Sequence, residues 1–472
     1  MKSGPQIVRV DPERSSRAAQ QLIAELGEGQ VRVDPEILAP YGHDESDTGD
    51  FPPDVVVFPR TTEEVSRVFQ ICQAHQVPYT PVGGRSGKSG GSLPLAGGVS
   101  VSLERMNAIR LISVEDLTAV VEPGVILSDL MKAAEAQGLF YPPDPNSQDF
   151  CTLGGNIAEN AGGPRALKYG VTRDYVLGMT WVMPDGQVHR VGRRTIKGVA
   201  GYDLTGLLVG SEGTLGVATE ITLQLIPLPR FVRTALCVFP SVLHAANAVS
   251  AVLAAGVLPR TLELLDEVSI RAVDGRGFQF PSGARAAVIA ETDGNSEEGT
   301  FAELAALGEI CQAQGAVEVL VAQGEEQRER LWAARRVVST ALRALRPLKI
   351  SEDIAVPRSK IPECIRRLKE MGEELGLLVA TYGHAGDGNL HANILFDSEA
   401  DRPRVDQAVE RMLKLTVELG GTITGEHGVG YAKRDYLQLE QSSGVIALQR
   451  RIQSLFDPSG LMNPGKIFPR EP

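Results

Sequence analysis

The chain has 472 residues, 43% of them hydrophobic and 22% charged, and carries a net charge of −12. That length exceeds what one hydrophobic core organises and points to two or three domains. The apolar fraction is that of an ordinary globular protein, and the acidic balance argues against a nucleic-acid binder, which needs a basic face.

The five cysteines (Cys72, Cys151, Cys237, Cys311, Cys364) are scattered and never form a C-x-x-C pair. This suits a reducing compartment and carries neither a disulfide framework nor a zinc knuckle. No apolar run reaches membrane-spanning length, and the N-terminus lacks the blocks of a signal peptide. The expected location is the cytoplasm.

Residues 1–50 read as a lead-in, with a short amphipathic helix over Ser15–Leu26. Asp54–Phe58 reads as a short apolar strand. Thr61 followed by Glu63 and Glu64 opens a helix through His75. Val77–Pro81 is a second strand and runs into Gly83-Gly84-Arg85-Ser86-Gly87-Lys88-Ser89-Gly90-Gly91-Ser92. A Gly/Ser loop after a strand can turn a row of backbone N–H groups toward a diphosphate. Its Gly87-Lys88-Ser89 invites a nucleoside-triphosphatase reading, but the glycine that this motif needs five residues earlier is Val82. The dinucleotide fingerprint fails as well.

Strands are expected at Val99–Leu103 and Thr118–Glu122, and a helix at Leu127–Gln137. A proline-rich extended stretch from Tyr141 leads to a second Gly/Asn-rich segment, Thr152–Gly163. Such a surface suits close packing of backbone on a flat, rigid ligand. Leu177–Val182 and Val188–Arg190 form a predicted hairpin over Pro184-Asp185-Gly186. A third loop, Gly210–Gly216, precedes a strand over Val217–Pro227. Pro227-Leu228-Pro229 is the best domain boundary. Beyond it, amphipathic helices (Leu243–Ala255, Gly299–Gln314, Lys360–Leu375) alternate with strands such as Ala286–Glu291 and Leu378–Tyr382, which predicts an α+β domain on an antiparallel sheet. Gln327–Leu345 is arginine-rich, and its default reading is a solvated basic helix. Asp457–Lys466 is too turn-rich for a helix.

Two segments carry the metal-type chemistry. Tyr382–Asn393 holds His384 and His391, and Thr424–Gly430 holds Glu426 and His427; three of the seven histidines fall here. Imidazole and carboxylate together are the usual ligands of zinc, manganese or iron. His384, His391 and Glu426 therefore make a three-ligand set, with His427 left over as a base. The two histidines, seven residues apart, converge only if Gly386-Asp387-Gly388 turns the chain back. Otherwise these are polar histidines satisfied by hydrogen bonds in Gly-rich loops.

Together these segments resemble one family, the FAD-dependent D-2-hydroxyacid dehydrogenases of the vanillyl-alcohol-oxidase-type flavoprotein fold. The resemblance runs over Pro81–Ser92, Pro142–Gly163, Ser211–Gly216, His384–His391, Glu426–Gly430 and Asn463–Gly465, all in the family's order. It implies an α+β chain with a two-part FAD domain over 51–228, a substrate (cap) domain over 229–425, and a C-terminal segment, 426–472, that completes the active site and packs on the FAD domain. It also implies that FAD is held by Pro81, Val82, Gly83, Gly84, Arg85, Ser86, Gly87 and Ser92 of the first loop. Pro143, Gly154, Gly155, Asn156, Asn160 and Gly163 would follow from the second, Glu212, Gly213, Gly216 and Val217 from the third, and Asn463 from the C-terminal end. Relatives with covalent flavin carry histidine where this chain has Arg85, so the FAD is expected to be non-covalent there.

By the same resemblance, His384, His391 and Glu426 bind a divalent metal such as zinc or manganese, His427 is the base, and Arg335 holds the substrate carboxylate. A bidentate arginine fork suits that last task. The spacing between Lys349 and Asp353 departs from the hydroxyglutarate pattern and looks more like the lactate and glycolate branch.

The reading is oxidation of a small D-2-hydroxy acid, D-lactate or glycolate first, with electrons passing to a quinone, a cytochrome or an electron-transfer protein. A peripheral membrane or complex association, a homodimer and a D-2-hydroxyglutarate substrate stay open. Two rivals remain: a metallohydrolase on the same His/His/Glu set, which leaves three Gly-rich loops unexplained, and a flavin-binding subunit active only within a larger complex.

Overall fold

The structure is a computed structural model and describes residues 7–276 and 278–470. It divides into two compact units. One comprises the chain up to Ala161, Val171–Leu228 and the chain from His427 onward; the other comprises Gly162–Gly170 and Pro229–Glu426.

The first unit contains two sheets. The smaller has the order Val31–Arg32, Val55–Val57, Val99–Ser102, Tyr79–Val82, and its last three strands are parallel. All three valines of Val55–Val57 are buried, as expected of a β-branched run in the middle of a parallel sheet. The crossover helix Thr62–His75 begins at Thr61, whose hydroxyl accepts the Glu64 N–H at 3.2 Å. Its buried residues are Val65, Val68, Phe69, Ile71 and Cys72, spaced to lie along one side of a 3.6-residue helix. The N-terminal stretch is integral to this layer. Helix Pro12–Leu26 packs on Thr62–His75, and Val31–Arg32 pairs with Val55–Val57.

The larger sheet is antiparallel, in the order Ile109–Ser113, Thr118–Val121, Val217–Gln224, Val176–Val182, Val188–Gly192. The predicted strand 217–227 is two strands. Pairing with the larger sheet ends where the Leu225 N–H donates to Leu117 O at 2.7 Å, and Ile226–Pro227 then pairs with Leu139–Phe140. A second difference lies at 152–163, where Leu153–Glu159 is a helix rather than an open loop. The Thr152 hydroxyl caps it by accepting the Gly155 N–H, and Asn160 ends it at φ 56°.

The second unit is a seven-stranded antiparallel sheet in the order Glu318–Val321, Phe231–Phe239, Ala286–Gly294, Thr261–Asp266, Leu378–His384, Asn389–Phe396, Leu348–Ala355. Helices Val242–Ala254, Glu297–Ala313, Ile361–Leu375 and Arg402–Glu418 pack against it. One sheet face carries Leu236, Val238, Leu265, Ile289, Ala380, Tyr382 and Leu395, buried under Leu331, Val338, Ala341 and Leu342. Removing each large apolar side chain from water contributes about 1.5–3 kcal/mol. The α+β architecture on an antiparallel sheet agrees with the sequence reading.

Segment Gly162–Gly170 belongs to this second unit and is bonded there through Asp293. Lys168 Nζ meets Asp293 Oδ1 at 2.6 Å and the Tyr169 hydroxyl meets Oδ2 at 2.7 Å. All five cysteines are free and buried. Among the described residues no helix is long and apolar enough to cross a membrane.

Candidate active site and flavin cradle

The polar cluster of the second unit follows from strand parity. Leu378–His384 and Asn389–Phe396 form a hairpin in which Tyr382 lies opposite His391 and His384 opposite Asn389. Residues directly opposite share a face, and so do residues two apart along a strand. The tight turn Ala385–Gly388 therefore sets His384 and His391, seven apart in sequence, side by side on one face. A Cβ on Gly388 would stand 2.1 Å from Val356 O, so no other residue fits that turn without displacing the neighbouring strand.

The same register extends outward. Glu263 lies opposite His384, and Asp353 opposite His391. A band of Glu263, His384, His391 and Asp353 thus crosses four adjacent strands on the face that continues into the apolar core through Leu265, Tyr382 and Leu395.

Glu426 arrives from the loop after Arg402–Glu418, and Asp353 holds it. Asp353 Oδ2 accepts the N–H groups of Gly425 and Glu426 and the Thr424 hydroxyl, each at 2.9 Å. Glu426 Oε1 then lies 3.6 Å from His384 Nε2 and 3.5 Å from His391 Nε2. Ligand atoms of His384, His391 and Glu426 all fall within 4.8 Å of one another. Two imidazole nitrogens and a carboxylate oxygen converging in this way fit a divalent cation of the zinc or manganese type.

Behind His384, its Nδ1 meets Glu263 Oε1 at 2.5 Å, which leaves Nε2 directed at the cluster. Arg335 pairs with the other Glu263 oxygen through Nε at 2.6 Å and Nη2 at 2.5 Å, and its guanidinium lies over the Tyr382 ring. The basic stretch is thus a correction: helix Glu325–Arg336 exposes most of its charges, but Arg335 is buried, drawn in by the Glu263 carboxylate. Burial alone would raise the Glu263 carboxyl, yet Arg335 and His384 outweigh it and hold the pKa at about 2. Burial alone would lower His384, yet Glu263 and Glu426 keep it well above the ordinary imidazole value. Burial raises Asp387, in the turn, to about 6. Lys349 donates to Ser339 O and Oγ.

In the first unit the three Gly-rich segments meet. Among the described residues, none of the N–H groups from Gly83 to Ser92 donates to a backbone carbonyl, whereas the carbonyls of Gly87, Ser89, Gly90 and Gly91 are bonded. The Gly90 N–H is taken by the Asp44 carboxylate, and the one-sided bonding elsewhere suits the row to an anionic ligand. A Cβ on Gly84 would stand 2.3 Å from Phe150 O, so the loop lies flat on the chain leading into the second segment. Buried hydroxyls of Ser89 and Ser211 have no hydrogen-bond partner. Unpartnered hydroxyls beside a row of amides without backbone acceptors fit a diphosphate-bearing cofactor such as FAD.

The remaining residues expected near FAD are placed as follows. Val82 ends its strand buried, Pro143 is buried, Gly154 donates to Pro123 O, and Asn156 is buried in its helix. Arg85 stacks over Tyr41. Asn160 Oδ1 accepts the Arg173 N–H at 2.9 Å. Gly213 packs against Pro81, Gly216 lies beneath the Trp181 indole, and Val217 opens its strand. Gly163 belongs to the second unit. Asn463 Nδ2 donates to Gly91 O at 3.0 Å and to Glu212 O at 2.8 Å, while its Oδ1 accepts from Lys466 Nζ at 3.0 Å. Its amide therefore ties the C-terminal segment to two of the loops. Burial drives the Lys466 ammonium down to about 7 despite nearby carboxylates.

His427 begins the C-terminal part of the first unit. Glu263 and Asp353 were not foreseen as site residues. For Glu263 the signal in the sequence is a lone carboxylate inside an apolar strand, Thr261-Leu-Glu-Leu-Leu, because a buried charge requires a partner.

Comparison with known proteins agrees with this arrangement. Residues 53–192 match the "FAD binding domain" family and residues 228–467 the "FAD linked oxidases, C-terminal domain" family. The chain is 42% identical to the glycolate oxidase subunit GlcD of Bacillus subtilis, covering 91% of this chain and 92% of that one. It is 37% identical to a D-lactate dehydrogenase of Anaerostipes hadrus, covering 94% and 95%. The structure of p-cresol methylhydroxylase with substrate bound superposes with a TM-score of 0.81 at 17% identity over 98% of this chain and 99% of that one, a likeness of fold. With both halves matched and the fold that of the vanillyl-alcohol-oxidase-type flavoproteins, the chain belongs to the FAD-linked oxidases, as an FAD-dependent D-2-hydroxyacid dehydrogenase.

Proposed function

We propose that this enzyme oxidises a small D-2-hydroxy acid, D-lactate or glycolate first, to the 2-oxo acid with the help of a divalent metal. The observation that carries the reading is the convergence of His384, His391 and Glu426 on one sheet face, backed by Glu263 and Asp353. The relatives named as D-lactate dehydrogenase and glycolate oxidase subunit supply the substrate class.

When bound, FAD supplies the acceptor for the hydrogen and electron pair leaving Cα, and the metal supplies a Lewis acid for the hydroxyl. The rest falls to side chains. His384 and His391 offer Nε2 atoms and Glu426 an oxygen. Glu263 fixes the His384 tautomer by taking its Nδ1–H. His427 is assigned as the base that accepts the hydroxyl proton. Arg335 is committed to Glu263 through Nε and Nη2, and its Nη1 end is assigned to the substrate carboxylate.

The test is an anaerobic absorbance titration of the purified protein together with elemental analysis. Flavin bands that bleach with D-lactate or glycolate, in protein carrying metal, are expected. Bands that persist with both, and with D-2-hydroxyglutarate, would refute a self-sufficient dehydrogenase. The word "subunit" in the name of the Bacillus relative favours a second reading, in which reduction requires partner chains; bleaching restored only by co-purified partners would select it.

A further inference from the structure

The loop that follows His427 is gripped from an unexpected direction. Glu212 Oε1 accepts the Val429 N–H at 2.9 Å and Oε2 accepts the Gly430 N–H at 2.6 Å. Both carboxylate oxygens are therefore committed to the amides two and three residues beyond the imidazole. Charge-assisted bonds of this kind are roughly twice as strong as neutral ones.

The grip is itself anchored. Glu212 occupies the left-handed region at φ 51°, a conformation that persists only when its surroundings enforce it. Its N–H is bonded to Ala158 O at 2.8 Å, and its C=O accepts from Asn463 Nδ2 at 2.8 Å. From the far side, Ser89 O accepts the Tyr431 N–H at 2.8 Å and the Ala432 N–H at 3.0 Å.

Gly428 sits at φ 80°, where a Cβ would stand 2.4 Å from Glu159 Oε2 and 3.1 Å from the Glu212 carboxylate. Only glycine lets the chain pass this close. Glu159 Oε2 is buried without a hydrogen-bond partner, so this oxygen crowds the loop without bonding to it.

We infer that Glu212 is a positioning residue: it clamps the Val429–Gly430 backbone and thereby fixes the loop on which His427 is presented. This rests on the reading of His427 as the base. It separates Glu212 from the flavin-contact role expected for it, because its side chain is taken up by the protein.

The experiment uses the FAD- and metal-loaded protein and Glu212→Gln. Glutamine keeps one acceptor oxygen and presents an NH2 to the other amide, so one bond is replaced by a donor–donor contact. Amide exchange in the peptide spanning 427–431 should accelerate at least tenfold. Flavin reduction by the best hydroxy acid should fall roughly ten- to a hundredfold, the scale of a small misplacement, with an altered pH profile and with FAD and metal contents unchanged. Gly428→Ala, which presses the same loop from the other side without changing charge, should reproduce the loss. Unchanged exchange in Glu212→Gln overturns the clamp. Faster exchange with wild-type reduction overturns its positioning role, provided His427→Ala is inactive. Wild-type reduction in His427→Ala would instead remove the base reading, and exchange alone would then decide the clamp.

Discussion

Glu263 and His384 stand directly opposite each other on adjacent antiparallel strands, with Oε1 2.5 Å from Nδ1, in a polar band at the end of a sheet face that continues into the apolar core. A carboxylate behind a ligating imidazole orients the ring and raises its basicity, and losing it typically costs ten- to a hundredfold in metal affinity. Glu263→Gln should therefore weaken zinc or manganese binding by about that factor while leaving FAD bound. Titration of the apo-protein with metal, followed by elemental analysis, checks this. Wild-type affinity would mean that His384 does not act through Nε2.

Asp353 has a different task, since its Oδ2 holds the backbone that delivers Glu426. Asp353→Asn leaves a single acceptor oxygen for three donors, and Asn389 Nδ2, which donates to Oδ1, meets a competing NH2. The expected result is a loss of metal affinity comparable to that of Glu426→Gln, with flavin content unchanged. Additive losses in the double variant would show that the two act independently.

Much of this arrangement was legible in the sequence, and the reasons for the exceptions are physical. Thr61 and the acidic first turn specify their helix locally, and the candidate set of His384, His391 and Glu426 was marked by two short motifs. The proximity of His384 and His391 depended on one turn of four residues, whose glycines announced it. Glu263 and Asp353 were hidden because their roles depend on which strand pairs with which: Glu263 lies 121 residues from its imidazole and Asp353 73 from Glu426. The stretch 327–345 read by default as solvated because its helix is exposed along most of its length, and only a buried carboxylate draws Arg335 inward. At Leu153–Glu159 the adjacent glycines masked a helix that the Thr152 cap and the Leu153/Ile157 spacing support.

Acid stability gives a third test. The Glu263 carboxyl is held at about 2 against an ordinary 4.5, so the folded state binds its proton less readily than the unfolded chain. Stability from this group is full above pH 4.5 and drains away as the pH falls toward 2. His384, raised by Glu263 and Glu426, behaves oppositely: its contribution in metal-free protein is full below 6.5 and is lost as the pH rises through its elevated value. Glu263→Gln should flatten the acid limb of urea midpoints measured from pH 2 to 7. It should also destabilise the neutral protein by about 3 kcal/mol, since Arg335 is left buried without its ion. An acid limb of unchanged steepness would assign acid unfolding to other carboxylates.

Arg335 provides the last prediction, because two demands meet on one guanidinium. Its Nε and Nη2 hold Glu263, and cation–π contact with Tyr382 fixes its plane, so the Nη1 end is presented in a set direction. If that end receives the substrate carboxylate, Arg335→Lys should keep the charge opposite Glu263 while removing the fork. The expected outcome is a rise in KM for the hydroxy acid of roughly tenfold or more, with a smaller fall in kcat and unchanged metal content, as for loss of a charged hydrogen bond. Arg335→Met goes further, unpairing Glu263 and disturbing His384, so metal affinity and thermal stability should fall along with activity. A neutral alcohol substrate separates the two demands: its turnover, however slow, should be nearly insensitive to Arg335→Lys, because it has no carboxylate to lose. Equal losses on acid and alcohol would assign Arg335 to the support of Glu263 alone, and the carboxylate would then have to be held elsewhere.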